Sequence, residues 1–139
     1  MKHSGSSIIF VNDKNKILLF LRDDKPGLPY RNMWDVPGGH VEENETPKEC
    51  IIREMKEEIN LDLKDFQLLC QTEFDDRIEY TYWKKVNLNI AEINLMEGQY
   101  LKWFTHMEAA ETELAYGFNE IVNKFYQTII FPHNNIDNK

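Results

Sequence analysis

Residues 39–61 read GHVEENETPKECIIREMKEEINL, and they decide the fold because they specify its central helix. Thr46 and Glu49 form a capping box around Pro47, in which each side chain can bind the backbone amide of the other residue. We therefore predict a helix that starts at Thr46. At about 100° per residue, one stripe of this helix is apolar and should face the core; it consists of Ile51, Ile52, Met55 and Ile59.

A group of carboxylates lies on a neighbouring face of the predicted helix. Glu54, Glu57 and Glu58 stand at positions i, i+3 and i+4. Like charges at this spacing repel one another unless a cation neutralises them, and Mg²⁺ binds carboxylates together with substrate phosphates. Arg53 lies four residues from both Glu49 and Glu57, and its planar guanidinium can hold a carboxylate in one orientation. The alternative is a solvated acidic face, which is common on glutamate-rich helices.

The spacing of these residues resembles the Nudix box, G-x5-E-x7-R-E-U-x-E-E-x-G-U, in which U is a hydrophobic residue. The sequence departs from it at Asn60, where the family has glycine. This position ends the helix in a left-handed conformation, which asparagine tolerates next best, so the departure should affect the chemistry little. The matching positions are Gly39, Glu45, Arg53, Glu54, Met55, Glu57, Glu58 and Leu61.

Length, composition and charge limit the classes of protein to consider. One domain over residues 1–139 is expected, and 42% hydrophobic and 12% aromatic residues are typical of a globular chain. A net charge of −8 without a basic patch argues against binding of a nucleic acid polymer. No long apolar run or signal peptide is visible, so we expect no membrane partner and a cytoplasmic location. Cys50 and Cys70 lack metal-ligand spacing and are expected to be buried free thiols.

Strand patterns flank the central helix. Upstream, residues 6–11 and 16–21 are apolar runs joined by a turn, which predicts a hairpin, and Pro37-Gly38-Gly39 predicts a tight turn. Downstream, strands are predicted over residues 66–74, 78–90 and 100–105, with a turn at 75–77. A second capping box at Thr105, a closing helix over 118–130 and a frayed tail over 132–139 complete the chain. This order predicts an α/β fold, a mixed β-sheet between helices, in agreement with the α/β/α sandwich that the Nudix resemblance implies.

Short segments outside the box resemble the MutT branch of the family. Glu97-Gly98-Gln99 is similar to its EGQxxxW segment, and this implies that Glu97 helps to bind metal or acts as a base. The resemblance also implies that Arg77 lies near the substrate, that Asn119 contacts a base edge, and that the backbone carbonyl of Gly38 is a metal ligand. The alternatives are a loop carboxylate for Glu97, a solvated turn arginine for Arg77 and a helix-start amide for Asn119.

Two residues before the box are further candidates for substrate binding. Arg22 follows a strand and could contact phosphate or simply be solvated. Trp34 lies shortly before the Pro37-Gly38-Gly39 segment and could stack on a base or belong to the core.

These residues predict a hydrolase of phosphoric anhydride bonds that uses Mg²⁺, for which Mn²⁺ could substitute. Metal on Glu54, Glu57 and Glu58 lowers the pKa of a bound water, and either Glu54 or Glu97 takes its proton, while Arg53 orients a glutamate. The MutT resemblance implies a nucleoside triphosphate, oxidised or not, as a small-molecule substrate that yields a monophosphate and pyrophosphate. Alternatives are dinucleoside polyphosphates, ADP-ribose or another nucleoside diphosphate derivative, and a catalytically silent nucleotide sensor. The sequence leaves monomer and homodimer open.

Overall fold

The structure, a computed structural model, describes residues 2–132. Within these residues, seven strands and three α-helices follow one another. In order they are β1 (His3–Val11), β2 (Ile17–Leu21), β3 (Trp34–Asp35), β4 (Gly38–His40), α1 (Pro47–Ile59), β5 (Gln67–Glu73), β6 (Arg77–Lys85), β7 (Tyr100–Phe104), α2 (His106–Ala110) and α3 (Phe118–Phe125).

All seven strands belong to one mixed sheet. Five of them lie in the order β3-β2-β1-β6-β5, while β4 also pairs with β1 and β7 also pairs with β2. The β1–β6 pair is parallel and the other pairs are antiparallel. Successive side chains of a strand point to opposite faces, so β1 contributes to two cores. Ile8 and Phe10 pack with α1, whereas Ile9 and Val11 pack with α3. The predicted mixed sheet between helices is therefore confirmed.

The predicted start and end of the central helix are confirmed. The Thr46 hydroxyl accepts a hydrogen bond from the amide of Glu49, and the Glu49 carboxylate accepts one from the amide of Thr46. Asn60 ends the helix with φ of 54°, and its amide donates to the carbonyls of Lys56 and Met55. Asparagine thus takes the left-handed position as expected.

The predicted apolar stripe of α1 is wrong at one position. Ile52 is 38% exposed, whereas Cys50 is fully buried and joins Ile51, Met55 and Ile59 on the buried side. The physical reason is that α1 packs against both β1 and β4, which turns its buried side toward β4. There the Cys50 thiol donates to the carbonyl of His40 at 3.3 Å. Cys50 and Cys70 are both buried free thiols, as predicted.

The predicted tight turn at Pro37-Gly38-Gly39 is also wrong. Gly38 and Gly39 belong to β4, which pairs with β1 in the register Ser6↔Gly39 and Ser7↔Gly38, and neither glycine has positive φ. Close packing explains these glycines instead. A Cβ on Gly38 would collide with the Ser6 carbonyl and lie 2.8 Å from the Cα of Ser7.

The other strand and helix predictions are confirmed with shifted ends. β6 ends at Lys85 rather than at residue 90, because residues 90–92 form a 3₁₀ turn that the Asn89 side chain caps. Arg77 opens β6 instead of belonging to the preceding turn, and the closing helix continues beyond α3 as a wider turn over Tyr126–Ile130. Apart from Pro132, the predicted frayed tail lies outside the described residues. Within residues 2–132, no helix has the length and apolar composition needed to cross a bilayer.

Candidate active site

A cavity of about 830 Å³ lies where α1, β4 and the ends of β2 and β6 meet. Most of the residues singled out in the sequence line it. They are Glu54, Glu57 and Glu58 of α1, Glu97 of the loop before β7, Gly38 of β4, and the two arginines Arg22 and Arg77.

Arg53 lies behind these carboxylates and fixes two of them. One terminal nitrogen of its guanidinium donates to Glu54 and to Glu57, each at 2.9 Å. The guanidinium is itself held by Glu45 through two parallel hydrogen bonds of 2.7 and 3.0 Å. This contact lowers the pKa of Glu45 to about 2. Arg53 does not line the cavity, and its role of orienting glutamates rather than touching substrate stays a prediction.

Replacing Arg53 by lysine should keep the positive charge but no longer hold Glu54 and Glu57 in one orientation. We expect Arg53→Lys to lower turnover about 10- to 100-fold, as for other residues that orient metal ligands. Steady-state hydrolysis of the best nucleotide substrate measures this effect. The matched control is Arg31→Lys, because Arg31 is an exposed arginine of the loop before β3. Equal rates for Arg53→Lys and the control would contradict the orienting role.

Backbone hydrogen bonds on both sides of Glu97 hold its loop against α1 and β2. The Met96 amide donates to the carbonyl of Glu58 at 3.0 Å, and the Gln99 amide donates to the carbonyl of Leu21 at 2.8 Å. Gly98 between them has φ of 85°. These contacts bring Glu97 toward the carboxylates of α1. Burial, together with the neighbouring carboxylates of Glu54 and Glu97, raises the pKa of Glu58, as expected where carboxylates crowd together without a cation.

The donor atoms of this cluster suit Mg²⁺. Within residues 2–132, no three His, Cys, Asp or Glu side chains form a ready-made metal cage. Mg²⁺ does not require one, because it commonly binds one or two carboxylates and completes its shell with water and substrate phosphates. The Gly38 carbonyl is also available. The amide of Ile8 donates to the carbonyl of Pro37, and the amide of Val41 donates to the carbonyl of Ser4. Hydrogen-bonded and non-hydrogen-bonded residue pairs alternate along an antiparallel ladder, so Gly38 and Ser7 form a non-hydrogen-bonded pair. The Gly38 carbonyl therefore points away from β1.

Two ion pairs line other parts of the cavity. A terminal nitrogen of Arg22 lies 3.2 Å from Asp35, and burial raises the pKa of Asp35 to about 7. The Nε of Arg77 donates to Glu79 at 2.7 Å, and a terminal nitrogen of Arg77 donates to the carbonyl of Tyr116 at 2.9 Å. Arg77 is 8% exposed, so it is not the solvated turn arginine of the alternative interpretation.

Trp34 and Asn119 do not line the cavity. The Trp34 ring packs edge-on against Phe104, with 4.8 Å between ring centroids, on the α3 side of the sheet. The Asn119 amide accepts from the backbone of Leu114 at 2.8 Å and donates to the carbonyl of Thr112 at 2.7 Å. These contacts favour the core and helix-start alternatives and argue against predicted base contacts by either residue.

Comparison with known proteins identifies the family. A family model described as the NUDIX domain matches residues 1–126. The chain belongs to the Nudix family.

Curated relatives of this Nudix domain match part of their length. The RNA pyrophosphohydrolase of Hydrogenovibrio crunogenus is 38% identical over 65 residues, which is 47% of the chain and 36% of that protein. The dihydroneopterin triphosphate diphosphatase of Haemophilus influenzae is 36% identical over 58 residues, 42% of the chain and 34% of that protein. The 8-oxo-dGTP diphosphatase of Proteus vulgaris is 47% identical over 36 residues, 26% of the chain and 32% of that protein. The matches thus span about a third of each relative, and these names describe the relatives as hydrolases of phosphate chains.

A solved structure confirms the fold over nearly the whole length of both chains. The MutT protein from Methanosarcina mazei superposes with a TM-score of 0.79 at 22% identity, and the match covers 91% of this chain and 94% of that one.

The Nudix box did not indicate three further residues of the cavity, Asp35, Glu79 and Tyr116. The alternation along β6 places Glu79 on the same face as Arg77, so a period of two could have indicated it. Asp35 precedes Val36-Pro37-Gly38 without any charged neighbour that marks it. Tyr116 depends on an unusual backbone conformation, φ of 58°, which the sequence does not predict for tyrosine.

Proposed function

We propose that this Nudix domain hydrolyses nucleoside triphosphates to a monophosphate and pyrophosphate with Mg²⁺. One observation carries the proposal. Glu54, Glu57, Glu58 and Glu97 converge on a cavity that also contains the guanidinium of Arg22. A carboxylate cluster alone would repel a phosphate chain, whereas the same cluster with a divalent cation attracts it.

The residues of the chain divide the work of this reaction. Glu54, Glu57, Glu58 and the Gly38 carbonyl would hold Mg²⁺, which when bound polarises a phosphoryl oxygen and lowers the pKa of a coordinated water. Arg53 keeps Glu54 and Glu57 in position through its two 2.9 Å contacts. Either Glu54 or Glu97 accepts the proton of the attacking water.

A second candidate substrate is the 5′ end of an RNA. RNA pyrophosphohydrolases recur among the relatives, and that of Marinomonas matches 70% of the chain at 31% identity. The net charge of −8 opposes this candidate, because binding to a polymer backbone depends on neutralising many phosphates. We therefore propose a small-molecule nucleotide rather than a polymer.

A substrate panel with Mg²⁺ tests the proposal. It contains the common and oxidised nucleoside triphosphates, ADP-ribose, a dinucleoside polyphosphate and a 5′-triphosphorylated RNA. Pyrophosphate and a nucleoside monophosphate should be released from a free triphosphate at the highest kcat/KM. A higher kcat/KM for ADP-ribose, the dinucleotide or the RNA would replace the proposed substrate, and no hydrolysis of any member would favour a nucleotide sensor.

Removal of divalent metal should abolish the activity. We expect turnover in excess EDTA to fall to background, because the carboxylates then repel the substrate and no bound water is activated. Restoring activity with Mg²⁺ or Mn²⁺, but not with Na⁺ at equal ionic strength, is the control for salt effects. Full activity in chelator would rule out the metal-dependent reaction.

A further inference from the structure

The cavity reaches both faces of the sheet, and an ion pair lies at the end that faces α3. Alternate residues of β6 share a face, so Arg77 and Glu79 lie on the same side as Thr81 and Trp83. Trp83 packs against Phe125 of α3, with 5.9 Å between ring centroids. The carboxylates of α1 belong to the opposite face. The Arg77–Glu79 pair is therefore a separate part of the cavity from the proposed metal cluster.

Glu79 is a buried carboxylate, and a glycine on the neighbouring strand leaves room for its side chain. It is 4% exposed, and it lies opposite Gly5 in the register of β1 and β6. A Cβ on Gly5 would collide with the Glu79 carboxylate, so the glycine leaves room for it. One carboxylate oxygen accepts from Nε of Arg77 at 2.7 Å. Burial raises the pKa of Glu79, and hydrogen bonds from Arg77 and Ser7 favour its charged form and oppose this shift.

The surroundings of the pair suit a flat heterocycle rather than a phosphate. A buried carboxylate without a bound cation repels phosphate, whereas the proposed Mg²⁺ would attract it to the carboxylates of α1, so the phosphate chain belongs at the α1 end of the cavity. Tyr116 and Phe118 line the cavity beside Arg77, whose guanidinium lies 5.4 and 5.7 Å from their ring centroids. Phe118 is buried, whereas Tyr116 is only partly buried and can pack against a planar ring.

Hydrogen-bond chemistry then selects among planar rings. An ionised carboxylate only accepts, and it is best satisfied by two neighbouring N–H groups. A ring N–H beside an exocyclic amino group supplies them, and the ring carbonyl on the other side of that N–H can accept from Arg77. This 2-amino-4-oxopyrimidine edge occurs in guanine and in pterins. Adenine, cytosine and uracil do not present two adjacent donors beside a carbonyl.

We propose that Glu79, with Arg77, determines base specificity by binding the 2-amino-4-oxopyrimidine edge of the substrate. The proposal deepens the proposed function and rests on it for the position of the phosphate chain. Glu79 accepts from the ring N–H and the amino group, and Arg77 donates to the carbonyl.

Binding of monophosphates tests this selection without depending on hydrolysis. Calorimetry compares GMP with IMP, which lacks the amino group, with 1-methyl-GMP, which lacks the ring N–H, and with AMP. GMP should bind about 10- to 100-fold more tightly than each of the others, because none of them offers the Glu79 carboxylate two adjacent N–H donors. Dihydroneopterin monophosphate carries the same edge on a pterin, so its affinity relative to GMP distinguishes the two sources. The proposal is overturned if neither GMP nor dihydroneopterin monophosphate binds more tightly than IMP and AMP. It is also overturned if none of the five compounds binds.

The variant Glu79→Gln tests the residue itself. Its amide cannot accept two hydrogen bonds side by side, so the ratio of GMP to IMP affinity should fall below about threefold. The control Glu120→Gln changes an exposed glutamate in the first turn of α3 and should keep the wild-type ratio. A wild-type ratio in Glu79→Gln overturns the proposal. If the variant does not fold, the IMP and 1-methyl-GMP comparison on the wild-type chain decides. Failure of the proposed function is distinguishable, since it would abolish hydrolysis and leave these binding ratios in place.

Discussion

Replacing Glu57 by glutamine should lower turnover on the order of 10³-fold, equivalent to about 4 kcal/mol of transition-state stabilisation. Glu57 lines the cavity and is one of the two carboxylates that Arg53 orients. Glutamine has the same shape but lacks the charge, so it binds a hard cation poorly. Because the Glu57 side chain is 55% exposed, the free energy of unfolding should change by less than about 0.5 kcal/mol.

The measurements are kcat and KM with Mg²⁺, together with thermal unfolding. The control is Glu43→Gln, which changes an exposed glutamate of the loop before α1 and should behave as the wild type. A nearly normal rate for Glu57→Gln would remove Glu57 from the proposed metal ligands. A large loss of thermal stability would instead give it a structural role.

The sequence predicted α1 well because the information needed is local. The capping box, Pro47, the carboxylate spacing and the left-handed Asn60 all depend on residues within one helix. The same locality explains the error at Ile52. A helical wheel gives the relative directions of side chains, but the extent of the buried side depends on what the helix packs against. Here β4 extends the buried surface to Cys50.

Residues of the site outside α1 were harder to predict because long-range register positions them. Glu79 reaches the cavity through the parallel pairing of β6 with β1, and Tyr116 through a turn next to α3. Asn119 is the opposite case, because it was predicted to belong to the site and does not line the cavity. The MutT resemblance implied a base contact, whereas in this fold the side-chain amide of Asn119 bridges the backbone around the start of α3. A short local sequence match does not specify where a side chain points or how deeply it is buried.

The two glycines of β4 should respond to alanine in opposite ways, because their missing side chains face different neighbours. A Cβ on Gly38 meets the backbone of Ser6 and Ser7, which cannot move without separating β4 from β1. A Cβ on Gly39 would lie 2.5 and 2.8 Å from the carboxylate oxygens of Glu54, the flexible end of a side chain. Gly38→Ala should therefore cost about 3 kcal/mol of unfolding free energy.

Gly39→Ala should instead keep the fold and displace Glu54 from Arg53. Turnover should fall on the order of 10²-fold, with a melting temperature within a few degrees of the wild type, whereas Gly38→Ala should melt roughly 10 °C lower. Circular dichroism melts and steady-state rates on both variants measure the contrast. Equal losses of stability would mean that both glycines only permit strand packing. A Gly39→Ala variant with normal turnover would mean that Glu54 tolerates displacement, which would leave Glu97 as the base.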